Sequence, residues 1–193
     1  MDPEKLEALR RNSGLALTRD GVWMWGTQLV ENPRVQAMFH RGVGVRADGE
    51  VTLSIGHMWA YVACPGPAFF VAALTHREGD AGSTLRLLGD REVPLFAGGG
   101  AQPVAGWGPD ERLYLWVDGI GGEVGGGQGR VAICLRDAHQ TFAARLQDGP
   151  EGLELVMGSG DATGERPGLR AHDHRIPVVM LATIPSASAI RPT

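Results

Sequence analysis

The chain has 193 residues, 43% apolar and 21% charged, with a formal net charge of −4 and two cysteines. That length exceeds the usual single-domain size of about 100–150 residues, and the composition is that of a folded globular protein rather than a disordered one. Lys5 is the only lysine and the arginines are dispersed, so neither a nucleic-acid backbone nor an acidic membrane surface meets a basic patch.

The N-terminus, Met1-Asp2-Pro3-Glu4-Lys5-Leu6, lacks the apolar core of a secretory leader, and no run approaches the roughly 18 apolar residues of a membrane span. A cytoplasmic location is expected. Cys64 (in AYVAC) and Cys134 (in VAICL) lie far apart in apolar runs, which reads as two buried free thiols rather than a disulfide or an activated nucleophile.

Asp2 and Pro3 form an N-cap and first-turn pair, so residues 3–12 are expected to form a short helix. LALT (15–18) and VWMW (22–25) flank Arg19-Asp20-Gly21 as a β-hairpin, and alternation puts Trp23 and Trp25 on one face. Asn32-Pro33 opens a second helix over 33–41, closed by Gly42 with His40 and Arg41 near its negative end. An Ala47-Asp48-Gly49 turn leads into one long extended run, VTLSIGHMWAYVAC (51–64), followed by the strands AFFVAALTH (68–76), 83–88 and 92–96. AGGGAQPVAGWGP (97–109) reads as a Gly/Pro-rich connection. Strands at 112–117 and 130–135 follow, joined by a Gly-rich loop. Asp137 is then expected to cap a helix over 138–147 with Gln140 as capping-box partner. LELVM (153–157) and IPVVMLATI (176–184) are the last strands.

Helix 33–41 leads through a DG turn to EVTLSIG (50–56), and helix 138–147 leads through Asp148-Gly149 to GLELVMGSG (152–160). GPAFFVAALT (66–75) and HRIPVVMLAT (174–183) are also alike in pattern, which reads as an internal duplication. The expected fold class is α+β: two similar halves, each a mostly antiparallel sheet with one covering helix. The expected divisions are an N-terminal half over 1–96, the connection over 97–110, a C-terminal half over 111–185 and a frayed tail over 186–193.

Residues 15–74, through LALTRDGVWMWGTQLVENPRVQAMFHRGVGVRADGEVTLSI and then PAFFVAAL, resemble the bacterial domain-of-unknown-function family 1285. The shared pattern is a DG-x-W hairpin, a capped helix ending in an aromatic (here Phe39), a DG turn and a Pro-then-Phe strand entry. The resemblance implies repeated α+β subdomains, a C-terminal half loosely like pleckstrin-homology domains, and a role in signalling; no catalytic residues come with it. Where the family carries Thr-Pro-x-Glu and then Glu-Asp before the Pro-Phe, this chain reads Ser54-Ile55-Gly56-His57 and Cys64-Pro65-Gly66.

Gly119-x-Gly121 in the loop 119–129 precedes a strand rather than a helix, so the loop reads as a hairpin connection and not a dinucleotide cradle. No Walker-type phosphate loop and no G-x-S-x-G nucleophile elbow is present. His172-Asp173-His174 offers two imidazoles without a third ligand at metal-site spacing, so no metal is expected there. The remaining candidates are aromatic: Trp23 and Trp25 on one strand, and His57, Trp59 and Tyr61 on another, each set at i, i+2 spacing. They are either core or a surface for a ligand or partner, and Trp59 is expected at the seam of the two halves.

These features point to a non-catalytic binding or regulatory module with no cofactor, whose partner is a protein, a small molecule or a second copy of the chain as a homodimer. The competing readings are an enzyme using His57 or the pair His172 and His174, and a self-assembling structural subunit.

Overall fold

Local signals fix the helices. Asp2 accepts a hydrogen bond from Glu4 N at 3.0 Å with Pro3 in the first turn, and α1 runs Pro3–Arg11. Asn32 Oδ1 accepts from Arg34 N at 2.9 Å and Val35 N at 3.4 Å, opening α2, Pro33–Gly42. The computed structural model describes residues 2–76, 83–96, 102–118, 120, 130–157 and 174–189. The Gly-rich stretch 121–129, together with Gly119, and the pair His172 and Asp173 lie outside the described residues.

Between the helices, β1 (Leu15–Leu17), β2 (Trp23–Trp25) and β3 (Gln28–Leu29) make a three-stranded antiparallel sheet. After α2 come β4 (Val43–Val45), β5 (Val51–Ile55) and β6 (Met58–Tyr61), a second such sheet. The remaining elements are β7 (Phe69–His76), β8 (Ser83–Leu87), β9 (Arg91–Pro94), β10 (Val104–Trp107), β11 (Leu113–Val117), β12 (Arg130–Cys134), α3 (Arg136–Ala143), β13 (Leu146–Gly149), β14 (Gly152–Met157) and β15 (His174–Met180). Their nine strands form one sheet in the order β13-β14-β15-β10-β11-β12-β7-β8-β9. The fold is α+β with mostly antiparallel pairing; the parallel neighbours in the large sheet are β10 with β15 and β12 with β7. No helix among the described residues is long and apolar enough to cross a membrane.

Several expectations are corrected. The run 51–64 is not one strand, because Gly56 at φ +59° turns the chain and pairs Ile55 with Met58 across a two-residue loop. Within the Gly/Pro-rich connection lies β10, which pairs on both sides, so strands from before and after it share one sheet rather than forming one sheet per half. The third helix starts at Arg136 with Leu135 as N-cap and no side-chain cap bond, so the Asp137 capping box does not form; Asp137 sits in the first turn instead. Of residues 144–147, expected to be helical, 144 and 145 form a turn and 146 and 147 begin β13. The tail is packed as far as it is described: Ala187 is buried, Trp116 Nε1 donates to Ala189 O at 3.2 Å, and Ser188 lies against Gly49.

Two runs of elements share their pairing. Leu17 faces Trp23 across β1–β2, and Trp107 faces Leu113 across β10–β11. Both hairpin tips close with the same backbone bonds: Thr18 N to Val22 O and Gly21 N to Thr18 O, then Gly108 N to Arg112 O and Glu111 N to Gly108 O. Each set is followed by a helix and three adjacent strands, and the last of these lies parallel to the first strand of its set. Ala63, just past β6, bridges Ala16 in β1, as β15 pairs with β10. In this arrangement the place of β15 is that of β6, not of the segment 66–75, which forms β7 beside β12 and β8.

Gly21 adopts φ +77°, and Glu111 stands at the same point of its tip with φ +60°. Glycine takes this conformation without a Cβ penalty; glutamate does not. Glu111→Gly is expected to stabilise the protein by about 0.5–1 kcal/mol after the greater freedom of the unfolded glycine is deducted. Thermal unfolding would show it as a rise of a few degrees, and a lower melting temperature would refute the strain.

Candidate functional site

The five aromatic candidates do not form one surface. Trp23 is fully buried, its ring edge-on to Phe39 at 5.2 Å and to His40 at 5.7 Å. Trp25 is 66% exposed at the sheet margin, where its indole N–H donates to Ser13 O at 3.2 Å. The alternation holds, but the core ends between them. His57 sits in the two-residue turn before β6 and is exposed, apart from the strand that carries the other two rings.

Trp59 and Tyr61 do come together, ring centroids 5.2 Å apart. Arg10 lies over Trp59 and Arg11 over Tyr61, each at 4.1 Å, while Arg46 approaches both at 5.6 and 5.8 Å. Arg11 also grips Glu50 with two bonds of 2.7 and 3.1 Å and meets Glu7 at 3.2 Å. Among the described residues, the ring contacts of Trp59 fall within the N-terminal third of the chain, with none to residues 102–189. Helix α1 buries none of its residues fully; the stacked Arg10 and Arg11 guanidinium groups hold it on β6, and the Arg11–Glu50 pair ties it to the residue before β5. Cation–π contacts at exposed sites contribute about 0.5–1 kcal/mol each and an aromatic pair a similar amount. Trp59→Ala is accordingly expected to cost about 1–2 kcal/mol, below the toll for a core tryptophan, and to speed proteolysis within residues 3–11. A loss above about 3 kcal/mol in urea denaturation would place Trp59 in the core instead.

A second cluster lies elsewhere, where the β1–β2 and β10–β11 hairpin tips meet. Arg112 reaches from the second tip to the first: Nη2 donates to Asp20 Oδ1 at 2.6 Å and Nη1 to Arg19 O at 3.1 Å, while Nε lies 4.0 Å from Asp110 Oδ2. Asp20 and Asp110 occupy matching places in their tips, so one guanidinium bridges both. Asp110 Oδ2 accepts from the Tyr114 hydroxyl at 2.7 Å, and burial together with that carboxylate holds the phenol well above its ordinary range. Asp110 Oδ1 is buried with no hydrogen-bond partner among the described residues. Gly108 makes room for it, since a Cβ there would stand 2.6 Å from that oxygen.

Beside the tips opens a cavity of about 430 Å³ lined by Asp20, Asp110, Glu111 and Arg112 from the two tips and by Cys134, Leu135, Arg136 and His139 from the end of β12 and the start of α3. His139, half-buried on α3, packs against Trp107 at 5.1 Å. Its volume falls in the range of small-molecule sites. Burial pushes the Cys134 thiol far up and raises that of Cys64, so neither is an activated nucleophile. His174 stacks on Phe96 at 4.2 Å, and among the described residues no three His, Cys, Asp or Glu side chains gather to hold a metal. Sequence reasoning passed over Asp20, Asp110, Arg112, Arg136 and His139 as site residues. The signal available was TRDGV (18–22) against GPDER (108–112), two hairpin tips with aspartate at the same place.

No family model matches the chain, and no curated protein does. Among solved structures, a DUF1285 family protein from Silicibacter pomeroyi DSS-3 matches with TM-score 0.55 and 14% identity, covering 77% of this chain and 76% of that one. The chain has a DUF1285-like fold. A second DUF1285 family protein, from Shewanella baltica OS155, matches with TM-score 0.46 and 10% identity over 68% of this chain and 91% of that one. The Silicibacter match is in keeping with the resemblance read from residues 15–74, and at 14% identity the likeness is one of fold.

Proposed function

We propose that the protein is a non-catalytic binding or regulatory module, built from two similar halves, that holds a small ligand in the cavity where their hairpin tips meet. The observation that carries this reading is the Arg112 bridge from one tip to the other beside a 430 Å³ cavity walled by charged side chains. Duplication is supported by the matched pairing of β1–β6 with β10–β15, down to the backbone bonds of the tips. A ligand seated there touches both halves, which suits regulation; signalling in the cytoplasm is the context implied by the family resemblance. The high-lying Cys134 and Cys64 thiols support a site that binds without covalent chemistry.

The test is metabolite retention. Wild-type protein and His139→Trp, which fills the cavity, are incubated with a cell extract, washed by ultrafiltration and analysed by mass spectrometry. A compound held by the wild type, lost in a folded His139→Trp and recovered unchanged supports the reading. Nothing held, or equal retention by both proteins, overturns the cavity as the site. Conversion of the compound overturns the non-catalytic part in favour of an enzyme centred on His139.

A further inference from the structure

We propose that the outer face of β6 is a binding site for an arginine-bearing segment of a partner protein, a site that α1 fills when the chain is alone. It is separate from the cavity beside the hairpin tips and does not rest on it.

The face already displays how it holds a guanidinium group. Trp59 and Tyr61 stand edge-on to one another, and Arg10 and Arg11 lie over their rings at 4.1 Å each. Glu50 closes on Arg11 with two bonds of 2.7 and 3.1 Å. A ring face beside a carboxylate that binds through both oxygens suits the planar fork of arginine better than the compact ammonium of lysine. With Arg10 and Arg11 lifted away, Asp48 and Glu50 outnumber Arg46 around the rings, so charge complementarity favours a cationic occupant.

The hold on α1 is one that another segment can replace. The helix has nine residues, short of the roughly 12–15 that sustain a helix unaided in water, and Leu9 is 62% exposed. Helix α2, by contrast, carries the buried His40 and rests on the backbone of β5. Beside Glu50 and Tyr61 an open hollow of about 550 Å³ continues past Ala16 and Ala63. The backbone there is already paired, Ala63 N donating to Leu15 O and Leu17 N to Ala63 O, so selectivity falls to the rings and Glu50. A segment that brings an arginine to Tyr61 and Glu50 has room in the hollow for its neighbouring residues.

The strand that matches β6 shows that the fold does not need these rings. Ala63 lies beside Ala16 as Val179 lies beside Gly106, which sets Arg175 and Pro177 at the places of Trp59 and Tyr61. Arg175 bonds Glu154 of the adjoining strand at 2.6 Å, and β15 pairs in register without an aromatic on that face.

The test follows the Trp59 indole N–H resonance of the isotope-labelled full chain, identified by its loss in Trp59→Ala. The probes are the blocked peptide Gly-Ala-Arg-Arg-Ala-Gly, its lysine and citrulline counterparts, and a blocked peptide of residues 2–12. In the double variant Arg10→Ala with Arg11→Ala, the arginine peptide is expected to shift the resonance with a Kd of about 1 mM or below, and in wild type at least about tenfold more weakly because α1 competes. The lysine peptide is expected to bind at least about threefold more weakly and the citrulline peptide not at all. Adding Glu50→Gln to the double variant is expected to weaken the arginine peptide at least about fivefold, with melting temperatures showing that the protein folds. No shift in the double variant, equal binding by wild type, lysine as tight as arginine, or indifference to Glu50→Gln each overturns the assignment. Binding of the 2–12 peptide alone, or a wild type that sediments as a dimer while the double variant is a monomer, makes the occupant α1 of a second copy and overturns the partner protein.

Discussion

Replacing Trp23 by alanine is expected to cost about 3–5 kcal/mol, the range for a fully buried aromatic removed from a core that cannot collapse around the void. The indole is 0% exposed and wedged between Phe39 and His40, with His40 in turn bonded through Nε2 to Gly21 O at 3.0 Å and edge-on to Phe70 at 5.9 Å. Burial holds the His40 imidazole below its ordinary pKa, so this neighbour is a neutral donor and adds no charge to the pocket. Trp23 Nε1 has no acceptor among the described residues, which makes Trp23→Phe informative: it leaves a smaller void and also removes a buried, unpaired donor. The expected cost of Phe is under about 1.5 kcal/mol. Urea denaturation of both variants decides; an alanine variant losing less than about 2 kcal/mol would show that α2 closes the gap, and a phenylalanine variant as costly as alanine would show that the N–H is bonded.

The second large effect is expected from a single methyl group. A Cβ on Gly42 would collide with the Ser54 carbonyl and crowd Leu53 Cδ1 at 3.1 Å, because the last turn of α2 rests directly on the backbone of β5. Neither backbone can yield without parting helix from sheet, so Gly42→Ala is expected to cost about 3 kcal/mol, the upper end for overpacking. Gly44 is the control: two residues on, its added Cβ would meet only Thr52 Oγ1 at an ordinary 3.7 Å. Gly44→Ala is expected within about 0.5 kcal/mol of wild type, since alanine in a strand loses less entropy than glycine. Should the two variants melt within a degree of one another, the close approach of α2 to β5 is wrong.

Legibility in the sequence followed the range of the interaction. Asn32-Pro33 announces α2 because a cap is a contact with the next two or three residues, and the Asp20-Gly21 turn announces β1–β2 for the same reason. Gly42 was legible as a helix end but not as a contact, since Ser54 reaches it only through the fold. The apolar run from Val51 hid a hairpin because its turn, Gly56-His57, lacks the usual polar cluster. Asp137 resembles a cap, yet the chain leaves β12 already turning and His139 N bonds Leu135 O at 2.7 Å, so the helix is under way before it. β10 escaped notice inside a Gly/Pro-rich stretch because its strand character comes from β11 and β15 on either side. The cavity was the least legible part: Asp20 and Arg112 belong to different hairpins, and only a matched pair of tips would have brought them together in thought.

The parallel pairing of β7 with β12 has a consequence for how the chain is made. Phe69, Phe70 and Val71 leave the ribosome long before Ala132, Ile133 and Cys134, their partners in register. Until then β7, β8 and β9 form a hairpin ribbon whose open edge carries side chains destined to be almost wholly buried. Such an edge is a template for pairing with other nascent chains. Any truncation that ends before Arg130 leaves that edge permanently without its β12 partner and is expected to aggregate where the full chain does not.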